Sequence, residues 1–114
     1  MSFDASKEKA AIRTKLQLSL TLLDKEKHEE FLKLMAKPSK IATLKASNKY
    51  EKAVNQFKSK KKDQMKTLII ELLNSGLEIE FSQDRSQAYY ILPKSRRRYA
   101  TFTKEGGEWY IENT

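Results

Sequence analysis

Lysine is the residue type in this chain whose number and spacing could do chemistry. Eleven fall between positions 33 and 66: Lys33, Lys37, Lys40, Lys45, Lys49, Lys52, Lys58, Lys60, Lys61, Lys62 and Lys66. Only Glu51 and Asp63 oppose them, so the segment holds a surplus of nine positive charges in a chain of net charge +8. An ammonium is a flexible point charge, better suited to phosphate contact than to reading base edges. A row of them would displace the counterions of a polyanion, and binding would fall steeply with salt. The competing role for the same residues is a solvated helix face.

A second basic group is Arg96, Arg97 and Arg98, followed by Tyr99. A guanidinium fork matches phosphates and guanine edges, and it stacks on bases. Tyr89, Tyr90, Tyr99 and Tyr110 fall on neighbouring expected strands. Alternation should leave about half of them on an open sheet face, as a stacking platform for single-stranded nucleic acid. The competing arrangement buries the tyrosines against helices and pairs the arginines with Glu78, Glu80 and Glu108.

Composition removes several chemistries. There is no cysteine, and His28 is the single histidine. Disulfides, thiolate nucleophiles and zinc sites of the usual kind are therefore excluded, and His28 reads as a packing or surface residue. Glycine-rich phosphate loops and nucleophile elbows are absent, so no cofactor and no metal are expected. Helices before an antiparallel sheet are an outline shared with some small basic ribonuclease toxins. On that analogy alone Arg98, Tyr99 and Glu78 are candidates for metal-independent cleavage. No apolar signal stretch opens the chain and no run is long enough to span a membrane, so a cytoplasmic protein is expected. A pI near 9.6 ranks nucleic acid first among partners and an acidic protein surface second.

The elements that must position these residues follow from periodicity. At 114 residues a single domain is expected over 1–114, with a helical part over about 6–75 and a β-meander over about 77–112. Ile12, Leu16, Leu20 and Leu23 make one stripe on a helix over 6–23, and Ala11, Leu18 and Leu22 a second. Two stripes mean burial on two sides or a homodimer face through Leu18 and Leu22. Asp24 is the expected N-cap of a helix over 25–36, which Pro38 ends. Ser39 should cap a short helix over 40–46, with Ile41 and Leu44 inward. Asn48 with Glu51 reads as a capping box for a helix over 49–58, running to 62 at most. Its apolar face is Tyr50, Ala53, Val54 and Phe57, and its basic face Lys49, Lys52, Gln56 and Lys60. Lys45 joins that row only if the helix is unbroken through Asn48. The outline also resembles a helix-turn-helix, but Lys52 stands where an apolar residue is needed and no glycine marks the turn.

Asp63 should cap the next helix, over 63–75, with Met65, Leu68, Ile69, Leu72 and Leu73 as its stripe. Gly76 is its stop. The period then changes to two. Leu77 to Phe81, Ala88 to Leu92, Arg98 to Thr103 and Glu108 to Glu112 read as four strands, the last two joined through Glu105-Gly106-Gly107. The expected class is α+β: four to five helices, then a four-strand antiparallel meander with helices on one face. The expected function is a non-enzymatic nucleic-acid-binding or accessory protein. Its candidate contacts are Lys45, Lys49, Lys52, Lys60, Lys61, Lys62, Arg96, Arg97, Arg98 and Tyr99. A protein-binding inhibitor or adaptor on an acidic partner is the alternative.

Overall fold

Apolar residues at steps of four, four and three produce the first helix, α1 (Ala5–Asp24), which buries Ile12, Leu16 and Leu23. The computed structural model describes residues 3–112. Asp4 caps α1, its carboxylate accepting the Lys7 N–H at 3.2 Å. After α1 come α2 (His28–Met35), α3 (Pro38–Ala46), α4 (Tyr50–Gln56), a π-helical turn (Phe57–Lys61) and α5 (Lys62–Asn74). Strands β1 (Glu78–Phe81), β2 (Gln87–Ile91), β3 (Arg98–Glu105) and β4 (Glu108–Glu112) follow, paired antiparallel in the order β1-β2-β3-β4. The expected α+β architecture is the one observed.

Alternation decides which face of the sheet meets the helices. Phe81 pairs with Ala88, Ile79 with Tyr90, Ala88 with Phe102, and Phe102 with Ile111. This row packs with Trp109 against Ile12 and Leu16 of α1, Phe31 and Met35 of α2, and Ile69 and Leu72 of α5. Trp109 is fixed from both ends. Its ring lies 5.9 Å from that of Phe81, and its Nε1–H donates to a Glu8 carboxylate oxygen at 2.6 Å. The Lys104 ammonium donates to the other Glu8 oxygen at 2.9 Å. Lys15, also on α1, reaches β4, where its ammonium donates to the Trp109 carbonyl at 2.6 Å and sits 3.8 Å from the centre of the Tyr110 ring.

Four expected N-caps are not used as such. Asp24 is the last residue of α1, and Lys27 precedes α2 with no side-chain cap. Pro38 takes the first turn of α3, where its missing N–H costs nothing. Ser39 instead donates its N–H and its hydroxyl to the Glu105 carboxylate, each at 2.9 Å, while Lys37 donates to Glu112 at 2.8 Å. The segment between α2 and α3 is thereby fastened to β3 and β4. Asn48 ends α3 rather than starting α4. It adopts φ +59°, and the Lys49 N–H returns to the Leu44 carbonyl at 2.8 Å, the pattern of a Schellman stop. An asparagine thus takes the left-handed place that glycine most often fills. Asp63 lies inside the first turn of α5, and no helix starts there.

The helix is continuous because the π turn corrects its register. Phe57 is buried and stacks on Phe31 at 5.0 Å; the next inward residue is Met65. Eight α-helical steps would rotate Met65 about 80° past Phe57. A π turn, closed here by the Lys62 N–H bonding back to the Phe57 carbonyl, takes up one extra residue. The remaining seven steps bring Met65 within about 20° of Phe57. Deleting Ser59, an exposed residue of this turn, should therefore leave a plain α-helix with the same inward face. We expect cooperative unfolding with a stability change within about 1 kcal/mol, read from urea midpoints. A loss of more than about 3 kcal/mol, the scale of a core truncation, would show that the π turn itself holds the fold together.

Candidate polyanion-binding surface

The eleven lysines of the basic segment separate into two groups once ion pairs are drawn. Lys33 pairs with Glu29 at 3.7 Å, Lys37 with Glu112 at 2.8 Å, Lys62 with Glu26 at 3.8 Å and Lys66 with Asp24 at 2.6 Å. Lys40, Lys45, Lys49, Lys52, Lys58, Lys60 and Lys61 are exposed and make no ion pair among the described residues. Between positions 40 and 61 seven unpaired ammonium groups therefore face one carboxylate, Glu51. They come from three consecutive elements: Lys40 and Lys45 from α3, Lys49 and Lys52 from the start of α4, and Lys58, Lys60 and Lys61 from the π turn.

The break at Asn48 takes Lys45 out of any single helical row. It remains next to Lys49 because its ammonium lies over the Tyr50 ring, 5.0 Å from the centre. The Tyr50 hydroxyl donates to Glu29 at 3.1 Å, which ties α4 to α2. Burial, then that hydrogen bond, raises the Tyr50 pKa, so it stays a neutral platform. His28 lies beneath the π turn. It is buried edge-on to Phe57 at 6.1 Å, and neither ring nitrogen has a hydrogen-bond partner among the described residues. Burial, with the charges of Lys62 and Lys58 behind it, lowers its pKa and keeps the imidazole neutral.

Lys40 and Lys58 were absent from the candidate contacts, and Lys62 belongs with the paired lysines. Local spacing does not separate the two groups: no acid stands three or four residues from Lys40 or Lys58, but none stands at that spacing from Lys37 or Lys62 either, and both of those are paired.

The arginine cluster is largely occupied. Arg96, at φ +56°, bonds to Glu80 and lies 3.9 Å from Glu78 on β1. Arg98 covers the Tyr89 ring at 3.8 Å. The Tyr99 hydroxyl donates to Glu71 of α5, and that bond raises its pKa. Only Arg97 of the three is exposed with no such partner among the described residues. Lys62 opens α5 and Glu71 stands nine residues on, which is about 14 Å of helix. Tyr99 also lines, with Asp63, Gln64, Thr67 and Leu68, a shallow hollow that runs back toward the start of α5.

The tyrosines do not form an exposed row. Tyr90 is in the core against Phe102, Tyr89 is buried under Arg98, and Tyr110 is half-buried under Lys15. Tyr99, at 36% exposure, is the outlier. Arg98, Tyr99 and Glu78 each bind a different partner, namely Tyr89, Glu71 and Arg96. Leu22 is half-buried against the core, while Leu18 is 53% exposed, so the two do not make a common outer stripe. Ile70 of α5 is 39% exposed. The contacts Arg13 to Leu73 and Asp24 to Lys66 show α1 and α5 running antiparallel.

Among the described residues no group of three His, Asp or Glu could hold a metal ion, and no helix is long and apolar enough to cross a membrane. No family model, curated protein or solved structure matches this chain.

Proposed function

We propose that this chain is a non-enzymatic nucleic-acid-binding protein that holds the phosphate backbone through lysines of α3, α4 and the π turn. One observation carries the reading: among the described residues, seven exposed lysines between positions 40 and 61 have no carboxylate partner. Charges destined only for solubility gain by pairing with acids three or four residues away, as Lys33 does with Glu29. An unpaired group keeps its full charge for an external anion, and lysines contact phosphate without reading sequence. Binding of labelled DNA and RNA, single- and double-stranded, across a salt series tests this. Tight binding at low salt with a steep negative slope is expected; no binding at low salt, or a slope near zero, rejects it.

A second reading rests on Leu18, a large apolar side chain 53% exposed on α1. In this reading that face of α1 is a protein contact, most simply with a second copy of the chain. Light scattering at high concentration should then give twice the monomer mass, and Leu18→Glu should return it to one. A monomer at every concentration removes the self-association.

A further inference from the structure

The inner side of the lysine-bearing helices carries a second feature. A cleft of about 240 Å³ lies between α2, α3, α4 and the end of β4. Its walls are apolar, with Leu32, Ile41, Leu44 and Ala53 among them, and two ammonium-bearing side chains, Lys40 and Lys61, line it as well. Both lysines are exposed and unpaired among the described residues. The cleft persists because α3 contributes no buried residue. Its inward Ile41 and Leu44 reach only half-burial, and its ends are tied elsewhere, by Ser39 to Glu105 and by the Asn48 turn. Apolar walls that lack partner atoms forgo dispersion contacts, and an apolar guest would supply them.

We propose that this cleft is a binding site for small amphipathic carboxylates, with the apolar chain inside and the carboxylate between Lys40 and Lys61. Size limits the guest. An apolar cavity of about 150 Å³ takes benzene, so one of 240 Å³ suits a chain of about eight carbons. Charge selects the head group, because two ammonium groups and no carboxylate line the cleft. A neutral alcohol of the same length would leave both lysines unpaired. The proposal does not rest on nucleic-acid binding and is tested without nucleic acid.

Octanoate, octanol and butyrate, titrated separately into the isotope-labelled protein, make the test. Octanoate should shift the amide signals of Ala36, Ile41, Leu44 and Ala53 saturably. Octanol and butyrate should each bind at least about fivefold more weakly, octanol for want of the two rim contacts and butyrate for want of apolar area. The double variant Lys40→Gln, Lys61→Gln changes only surface groups; it should weaken octanoate by about five- to tenfold and leave octanol unchanged. Ala53→Leu should fill the cleft and remove binding of both. Octanoate shifts scattered over the surface, or no saturation, would overturn the site. Octanol binding as well as octanoate, or an unchanged affinity in the double lysine variant, would overturn the carboxylate assignment.

Discussion

Changing Lys49, Lys52, Lys58, Lys60 and Lys61 together to glutamine should remove most of the nucleic-acid affinity and most of its salt dependence, leaving Lys40 and Lys45 of α3. Losing five phosphate contacts should make the slope of log affinity on log salt shallower by about 4.5 for duplex DNA and by about 3.5 for a single strand. Between 50 and 200 mM salt the unaltered protein should thus weaken by about 500-fold more than the variant on duplex and by about 100-fold more on a single strand. The five-fold variant should bind weakly at low salt and weaken only by about tenfold on that range. The internal control is the triple change of Lys33, Lys62 and Lys66, whose charges are already offset by Glu29, Glu26 and Asp24. That control should move the slope by less than about one unit. All eight are surface positions, so each substitution should alter stability by no more than about 0.5 kcal/mol, and circular dichroism and urea midpoints should confirm it. If the paired set weakens binding as much per residue as the unpaired set, ion pairing does not decide which lysines bind, and the proposed interface is wrong.

Trp109→Ala should be the most damaging single core change. Trp109 is 2% exposed and links β4 to α1, to Phe81 and to Lys104. Truncation should cost about 3–5 kcal/mol, against a total stability of about 5–15 kcal/mol for a domain of this size. It also strands Glu8, whose carboxyl is held below its ordinary value first by the Trp109 N–H and then by Lys104. A lowered carboxyl pKa means that the unfolded chain takes up the proton first. The contribution is therefore complete above the ordinary value of 4.5 and is lost as pH falls through the lower folded value. Trp109→Phe keeps the ring stacking but removes the donor. It should cost about 1.5–3 kcal/mol at neutral pH and flatten the fall in stability below pH 4.5. Urea titrations at several pH values read both effects. A Trp109→Ala loss under about 1 kcal/mol, or an unchanged acid limb in Trp109→Phe, would show that this junction is not a principal support of the sheet.

The strands were legible because each has a single period. Ile79 and Phe81, Ala88 and Tyr90, Ala100 and Phe102, and Trp109 and Ile111 recur at steps of two, although the pairing of β2 with β3 shifts register between Tyr90 and Ile91. The helix from Tyr50 to Asn74 was not, because its apolar stripe slips by one residue. A slip of that size looks like the end of one helix and the start of another, so Asp63 read as a cap. The other misplaced caps have a related cause. Asp, Asn and Ser side chains serve starts, stops and turns alike. Asn48 closed a helix, and Ser39 found Glu105, 66 residues away. The lysine surplus was visible, but its division was not. Lys37, Lys62 and Lys66 meet acids 75, 36 and 42 positions distant along the chain, which no local pattern announces. Arg96 was subtracted from the site for the same reason, through Glu78 and Glu80.

Lys15 has a consequence for the company this protein keeps. Lys104 faces β2 with its N–H, so its partner Trp109 turns its own peptide groups away from the sheet, toward the outer side of β4. The Lys15 ammonium sits on that outward carbonyl. A foreign strand seeking to extend the sheet there would have to displace a charged side chain that is already hydrogen-bonded, and the cost rises with each partner Lys15 has, Glu108 and Tyr110 included. At Trp109 the β4 border thereby resists strand addition and the chain-to-chain stacking that begins aggregation. Under the proposed function, with many copies side by side on one long anion, that resistance would matter most.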